Sequence, residues 1–101
     1  MTKFLVAILT HNRSEMVNDA IRSVFEQTYS NWELLVSDNA SHPPACEAVR
    51  PEYQRDPRTR LIRHDTLMRG TEHFERIIRY TLDYYDCEYL LVLGGDSRRA
   101  A

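Results

Sequence analysis

The sequence predicts an α/β domain: a doubly wound, mainly parallel sheet of about four strands with helices on both faces. Three observations predict it. Short apolar runs rich in β-formers alternate along the chain with stretches of helical periodicity, the order expected of right-handed βαβ units. The runs Phe4 to Leu9 and Tyr89 to Leu93 are apolar throughout rather than alternately polar, as strands covered on both faces are. Each run also ends in a polar cluster, so the candidate functional groups gather at the carboxyl ends of the strands.

Lys3 to Leu9 is the first strand, ended by the polar residues 10 to 14. Asn12 or Ser14 is placed to cap the next helix, and Asn12 with Glu15 has the spacing of a capping box. From there Val17, Ala20, Ile21, Val24 and Phe25 follow the i, i+3, i+4, i+7, i+8 series of one helix face. Burying the large members of that stripe, at roughly 1.5 to 3 kcal/mol each, outweighs the few tenths that β-branched residues lose in a helix. Thr28-Tyr29-Ser30-Asn31 breaks the pattern, and Trp32 to Val36 is the second strand, with Asp38 at its carboxyl end.

Pro43, Pro44, Pro51 and Pro57 punctuate the following stretch, whose one helical piece is Ala45 to Arg50. Thr59 to Arg63 is a third strand, placed near a sheet edge by its arginines, and His64 to Gly70 is a loop. Thr71 is positioned to cap a last helix whose apolar face is Phe74, Ile77, Ile78, Thr81, Leu82 and Tyr85. Tyr89 to Leu93 is the fourth strand, and Gly94-Gly95-Asp96-Ser97 turns out of it.

Composition narrows the partners. The chain of 101 residues is read as one domain spanning 1–101, short for an enzyme that holds both a donor and an acceptor. A net charge of -2 gives no basic field for nucleic acid or anionic membrane. The longest apolar run, Phe4 to Leu9, is far below the roughly 20 residues that cross a bilayer, and it lacks a signal-peptide cleavage site. Cys46 and Cys87 make neither a CxxC pair nor a disulfide framework, which fits a reducing cytoplasm.

Ligands of open α/β sheets bind beyond the carboxyl ends of the strands. Thr10-His11-Asn12, Asp38, His64-Asp65 and Gly94-Gly95-Asp96 each follow one strand, so four segments converge on one rim. Neither G-x-x-x-x-G-K-[ST] nor G-x-G-x-x-G occurs, which disfavours ordinary ATPases and dehydrogenases. An imidazole able to stack on a base, a carboxylate able to accept from base or ribose, and a glycine turn carrying an aspartate suit a metal-bound diphosphate.

The run Val6-Ala7-Ile8-Leu9-Thr10-His11-Asn12-Arg13, then Ala20-Ile21-Arg22-Ser23-Val24 and Gln27-Thr28-Tyr29-Ser30-Asn31-Trp32-Glu33-Leu34, resembles the start of family-2 glycosyltransferases of the Rossmann-like GT-A fold. Val36-Ser37-Asp38-Asn39-Ala40-Ser41, Asp56-Pro57-Arg58, Gly70 and Glu88-Tyr89-Leu90-Leu91-Val92-Leu93 continue the resemblance over essentially the whole chain. It implies sugar transfer from a nucleotide diphosphate donor (UDP-, GDP- or dTDP-linked) to an acceptor, with Mn²⁺ or Mg²⁺. Thr10, His11 and Asn12 would line the nucleotide pocket, His11 standing where the family often has a tyrosine, and Asp38 would contact base or ribose. The family's D-x-D turn falls on Gly94-Gly95-Asp96, with Asp96 as metal ligand and Gly94 in place of the first aspartate, a change that should weaken the metal. Leu9 replaces a proline.

No residue here matches the family's acceptor-side base, so the resemblance implies the donor-binding part of a GT-A fold cut short, without its acceptor region and inactive alone. A different reading is a nonenzymatic module, or homo-oligomer, that pairs through an exposed sheet edge. A nucleotidyltransferase is disfavoured by the missing phosphate loop. Singly, Thr10 to Asn12, Asp38 and Asp96 are also ordinary turn residues. His42, His64 and His73 lack metal-ligand spacing and are expected to be solvated or hydrogen-bonded, and Arg69 to be solvated rather than on a phosphate. Trp32, Tyr80, Tyr84, Tyr85 and Tyr89 are expected to pack, with Tyr84 nearest the surface.

Overall fold

The computed structural model describes residues 3–12 and 14–94, apart from the side chains of Ser14 and Glu15. Its first strand, β1 (Phe4–Thr10), is apolar on both sides because both sides are covered. Val6 and Ile8 face a layer containing Val17, Ala20, Ile21 and Val24 of α1 (Ser14–Phe25). Leu5 and Ala7 face the opposite layer, which is built on Ile77 of a later helix. The stripe expected on α1 is therefore the buried one.

β2 (Trp32–Asn39) pairs in parallel with β1 along its whole length, from Phe4 opposite Trp32 to Thr10 opposite Asp38. It runs three residues beyond the expected end at Val36. Ser37, Asp38 and Asn39 stay in the ladder because β1 pairs them on one side and β3 (Thr59–His64) on the other. At the opposite end of β2, Phe25 packs on Trp32 and Tyr53 with ring centroids 5.0 and 4.7 Å apart. The Arg58 guanidinium lies 3.7 Å from the Trp32 ring centre and pairs with Asp56 at 2.9 Å.

The helical piece expected over Ala45 to Arg50 is the short turn α2 (Ala45–Ala48), and a second short turn that was not expected, α3 (Pro51–Gln54), follows it. α2 ends at Val49, which is already extended; Arg50, extended as the residue before a proline should be, then caps α3, with Pro51 as its first residue. Asn18 bridges the break, donating to the Ala48 carbonyl at 2.9 Å and accepting from the Arg50 N–H at 3.0 Å.

α4 (Gly70–Tyr84) corrects the sequence reading in two ways. Arg69, not Thr71, holds the N-cap position, and no side chain caps it. Ile77 and Thr81 of the expected face are buried, but the helix is rotated so that His73 joins them while Phe74 and Leu82 are 46% and 78% exposed. A histidine can take the inner row because Ser37 receives it by a hydrogen bond.

β4 (Tyr89–Gly94) pairs in parallel with the free side of β1, giving the strand order β3-β2-β1-β4. The sheet is wholly parallel. α1, α2 and α3 contribute to one covering layer and α4 to the other, so the doubly wound α/β expectation is met, with β3 at an edge as its arginines indicated.

Candidate functional site

Strand register builds the site. Asp38 lies opposite Thr10 and Arg63, Asn39 opposite His64, and Gly94 opposite Leu9, so the four strands end level along one rim. From β1 the chain proceeds to β2 and β3 on one side, and then returns to place β4 on the other. The carboxyl ends of β1 and β4 thus flank the point where connections diverge, the usual ligand crevice of such sheets.

His11, the first residue beyond β1, is exposed yet fixed. Its Nδ1–H donates to the Asn39 carbonyl, and Asn12 Nδ2 donates to its Nε2 at 3.3 Å. These partners select the tautomer with hydrogen on Nδ1. Asn12 itself has φ 51°, a left-handed conformation that asparagine tolerates. Its N–H donates to Ser41 Oγ at 2.8 Å and its Oδ1 accepts from the His42 N–H at 2.8 Å. The expected capping role is corrected accordingly: the Asn12 carbonyl oxygen is committed to residue 42. The capping alternatives at Ser14 and Glu15 lie outside the described side chains.

Asp38, expected to contact a base or ribose, is 3% exposed and bonded to the protein on both oxygens. Oδ1 accepts from the Ser41 N–H at 3.1 Å, and Oδ2 from the Ala45 N–H at 2.8 Å and Arg63 Nη1 at 3.0 Å. Burial alone would raise its pKa. The hydrogen bonds from Ser41 and Ala45, with the Arg63 charge, prevail and hold the carboxyl below its ordinary range. Arg63 reaches across to the Ser41 carbonyl at 2.9 Å and to Asp65 at 3.2 Å. Beside this group lies a cavity of about 190 Å³ lined by Val36, Asp38, Ala45, Leu61 and Arg63 among others.

Two features of the rim escaped sequence reasoning. Asn39 accepts from the Met68 N–H at 2.9 Å and donates to the Met68 carbonyl at 2.8 Å, while its own carbonyl holds His11. One residue thus ties the segment after β1 to the loop after β3. It sat inside the quoted Asp38-Asn39-Ala40-Ser41 run, where a side-chain amide was the available signal. On the α4 side, Ser37 Oγ lies 3.0 Å from His64 Nε2 and 2.7 Å from His73 Nε2. Burial, then the neighbouring His64, lowers the pKa of His73 to about 4, and burial with Arg76 lowers that of His64. Both histidines are hydrogen-bonded, as expected.

Thr10 is 3% exposed, and its hydroxyl oxygen has no hydrogen-bond partner among the described residues. Gly94 closes β4 at the rim. Gly95 and Asp96, expected at the diphosphate and the metal, lie outside the described residues. Within those residues no group of three His, Cys, Asp or Glu side chains is placed to hold a metal. The structure therefore brings Thr10, His11, Asn12, Asp38 and Gly94 to one rim, with His11 and Asn12 exposed and Thr10 and Asp38 buried beneath it.

The family model for glycosyl transferase family 2 matches residues 5–98. Protein CgeD of Bacillus subtilis (strain 168) is 26% identical over 98 residues, which are 94% of this chain and 23% of that protein. The UDP-Glc:alpha-D-GlcNAc-diphosphoundecaprenol beta-1,3-glucosyltransferase WfgD of Escherichia coli is 44% identical over 43 residues, 41% of this chain and 17% of that protein. The chain thus spans less than a quarter of the length of either relative.

Proposed function

The chain belongs to glycosyl transferase family 2, and from that premise we propose that its rim binds the nucleotide diphosphate of a sugar donor. The observation that carries this reading is His11: an exposed imidazole, tethered through both ring nitrogens, immediately beyond β1 at the divergence of the sheet. A ring held in place can stack on a base without losing further rotamer freedom, and base stacking on an aromatic ring contributes about 1 to 3 kcal/mol.

The remaining groups take roles by placement. Asn12 and Ser41 hold the 40–42 loop against His11, and Asp38 anchors that loop together with Arg63. Asp38 in this arrangement positions its neighbours, and Arg63 is the polar group of the rim that a ribose or phosphate oxygen would meet. Thr10 supplies a hydroxyl below, Gly94 closes β4 at the rim, and Gly94 and Gly95 are the residues we assign to the diphosphate. Asp96 is the protein ligand we assign to Mn²⁺ or Mg²⁺. With no three-ligand group among the described residues, the ion would arrive with the diphosphate, in keeping with Mg²⁺ bound by one or two carboxylates and substrate phosphates. When bound, the ion neutralises diphosphate charge. Transfer of the sugar to an acceptor is the reaction this donor site would serve in the whole protein, inside a reducing cytoplasm.

The Escherichia coli relative is named for a UDP-Glc donor, which puts UDP first among the ligands to test. UDP, GDP and dTDP, each with and without Mn²⁺, are titrated against the protein while thermal unfolding is followed. The expected result is a rise in melting temperature with at least one nucleotide, enlarged by Mn²⁺. No shift with any nucleotide at saturating concentration refutes the proposal.

A further inference from the structure

Asn39 is held on three sides. It is 4% exposed, and both polar atoms of its side chain engage one residue, Oδ1 accepting from the Met68 N–H at 2.9 Å and Nδ2 donating to the Met68 carbonyl at 2.8 Å. Met68 is itself buried, so the anchor is an interior one. Because Thr10 pairs with Asp38, Asn39 is the first residue of β2 past the end of β1. Its backbone carbonyl there takes a side-chain donor, the Nδ1–H of His11. The next residue, Ala40, has φ 54°, a left-handed conformation that is unfavourable with a Cβ and persists only where the surroundings over-determine it. The bonds that hold it lie on both sides: Met68 on Asn39, and Asn12, Arg63 and Asp38 on Ser41.

We infer that Asn39 is a positioning residue that acts through His11: anchored on Met68, it presents the carbonyl that fixes the tautomer and plane of the ring. Its effect on nucleotide affinity rests on the donor-site reading of His11. A neutral imidazole carries one ring hydrogen, and the hydrogen bonds of the ring decide which nitrogen holds it. With that hydrogen on Nδ1, the ring hangs from a carbonyl that the two bonds to Met68 keep in place, and Nε2 is left as an acceptor for Asn12 Nδ2 at 3.3 Å. A base that stacks on a ring already so held costs His11 no further rotamer freedom. Without the Met68 anchor the carbonyl moves with the turn, and the ring samples both tautomers and other planes before it binds. The loss then appears in affinity, although the Asn39 amide is turned to Met68.

Long-range ¹H–¹⁵N correlation of the imidazole nitrogens in the whole chain, at about pH 8.5 where an ordinary imidazole is neutral, reads the tautomer without any nucleotide. His11→Ala identifies the His11 signals. The wild type should show hydrogen on Nδ1 and a bare Nε2, and Asn39→Ala a mixture of tautomers. Ile77→Ala, a core change away from the rim, should leave the wild-type pattern, which separates positioning from general loss of stability. Affinity for UDP with Mg²⁺ should weaken on the order of 10-fold in Asn39→Ala, but less than about 2-fold when the same change is made in His11→Ala. If Asn39→Ala does not fold, Asn39→Asp, which keeps an acceptor for the Met68 N–H and loses the donor, carries the same test with a smaller loss. Failure of the wild type to bind nucleotide counts against the donor-site reading alone, and the tautomer still decides the role of Asn39. A mixed or Nε2–H tautomer in the wild type overturns the inference, as does a tautomer indifferent to Asn39→Ala or an equal weakening with and without the imidazole.

Discussion

Acidification from pH 7 to pH 5 should destabilise the fold by about 2 kcal/mol through His73 alone. The imidazole is 4% exposed and lies on α4 against Ser37, with His64 and His11 adding repulsion and Asp38 opposing it. Its pKa falls from 6.5 to about 4, first because burial penalises the charged ring and then because of His64. A histidine with a depressed folded-state pKa leaves stability untouched above the unfolded value, where neither state binds the proton. Below pH 6.5 the unfolded chain takes up the proton and the folded chain does not, so stability falls until the pH reaches about 4. The full loss is about 3 kcal/mol, a large part of the roughly 5 to 15 kcal/mol that holds a domain folded.

His64 is lowered too and adds in the same direction. Asp38 and Asp56, both held below the ordinary carboxylate value, lose their contributions only at lower pH, so the window above pH 5 belongs to the histidines. Urea unfolding followed by Trp32 fluorescence at a series of pH values measures the slope. His73→Gln, which keeps a polar group facing Ser37, should flatten most of it. Stability constant within about 0.5 kcal/mol from pH 7 to pH 5 would refute the reasoning.

Two further perturbations separate packing from surface and rim from core. Ile77→Ala should cost about 2 to 5 kcal/mol in chemical denaturation and Leu82→Ala less than about 0.5, a contrast that follows from the rotation of α4 and would reverse if Leu82 were the inward row. Asn39→Ala leaves the Met68 N–H and C=O without their partner and should cost about 2 to 4 kcal/mol, read as a lowered unfolding midpoint; an unchanged midpoint would mean that the Met68 clamp contributes nothing.

What the sequence made legible was what hydrophobic period controls. The apolar run of β1 and the stripe from Val17 to Phe25 each have one way to be buried, and the structure buries them so. α4 was less determinate, because Phe74, Ile78 and Leu82 make as good a stripe as the inner row. The choice between them rests on Ser37 receiving His73 across the sheet, a contact 36 residues apart that no local pattern encodes. The end of β2 was hidden for a related reason, since Ser37, Asp38 and Asn39 read as a turn until their partners in β1 and β3 are known. At the rim, strand ends predicted which residues gather, whereas burial decided what they offer. Asp38 and Asn12 looked like free polar groups and are committed to the 40–45 loop, and Asn39 looked incidental and joins two segments.

The measurement that bears most directly on the account is amide chemical-shift mapping of the uniformly ¹⁵N-labelled chain with UDP and Mg²⁺, in wild type and in His11→Ala. Perturbations in the wild type should cluster on residues 10–12, 38–41, 63–69 and 94–96, with affinity weakened in His11→Ala by about 5- to 150-fold and no loss of fold. Perturbations confined to the outer face of α4, or an affinity indifferent to the imidazole, would contradict it.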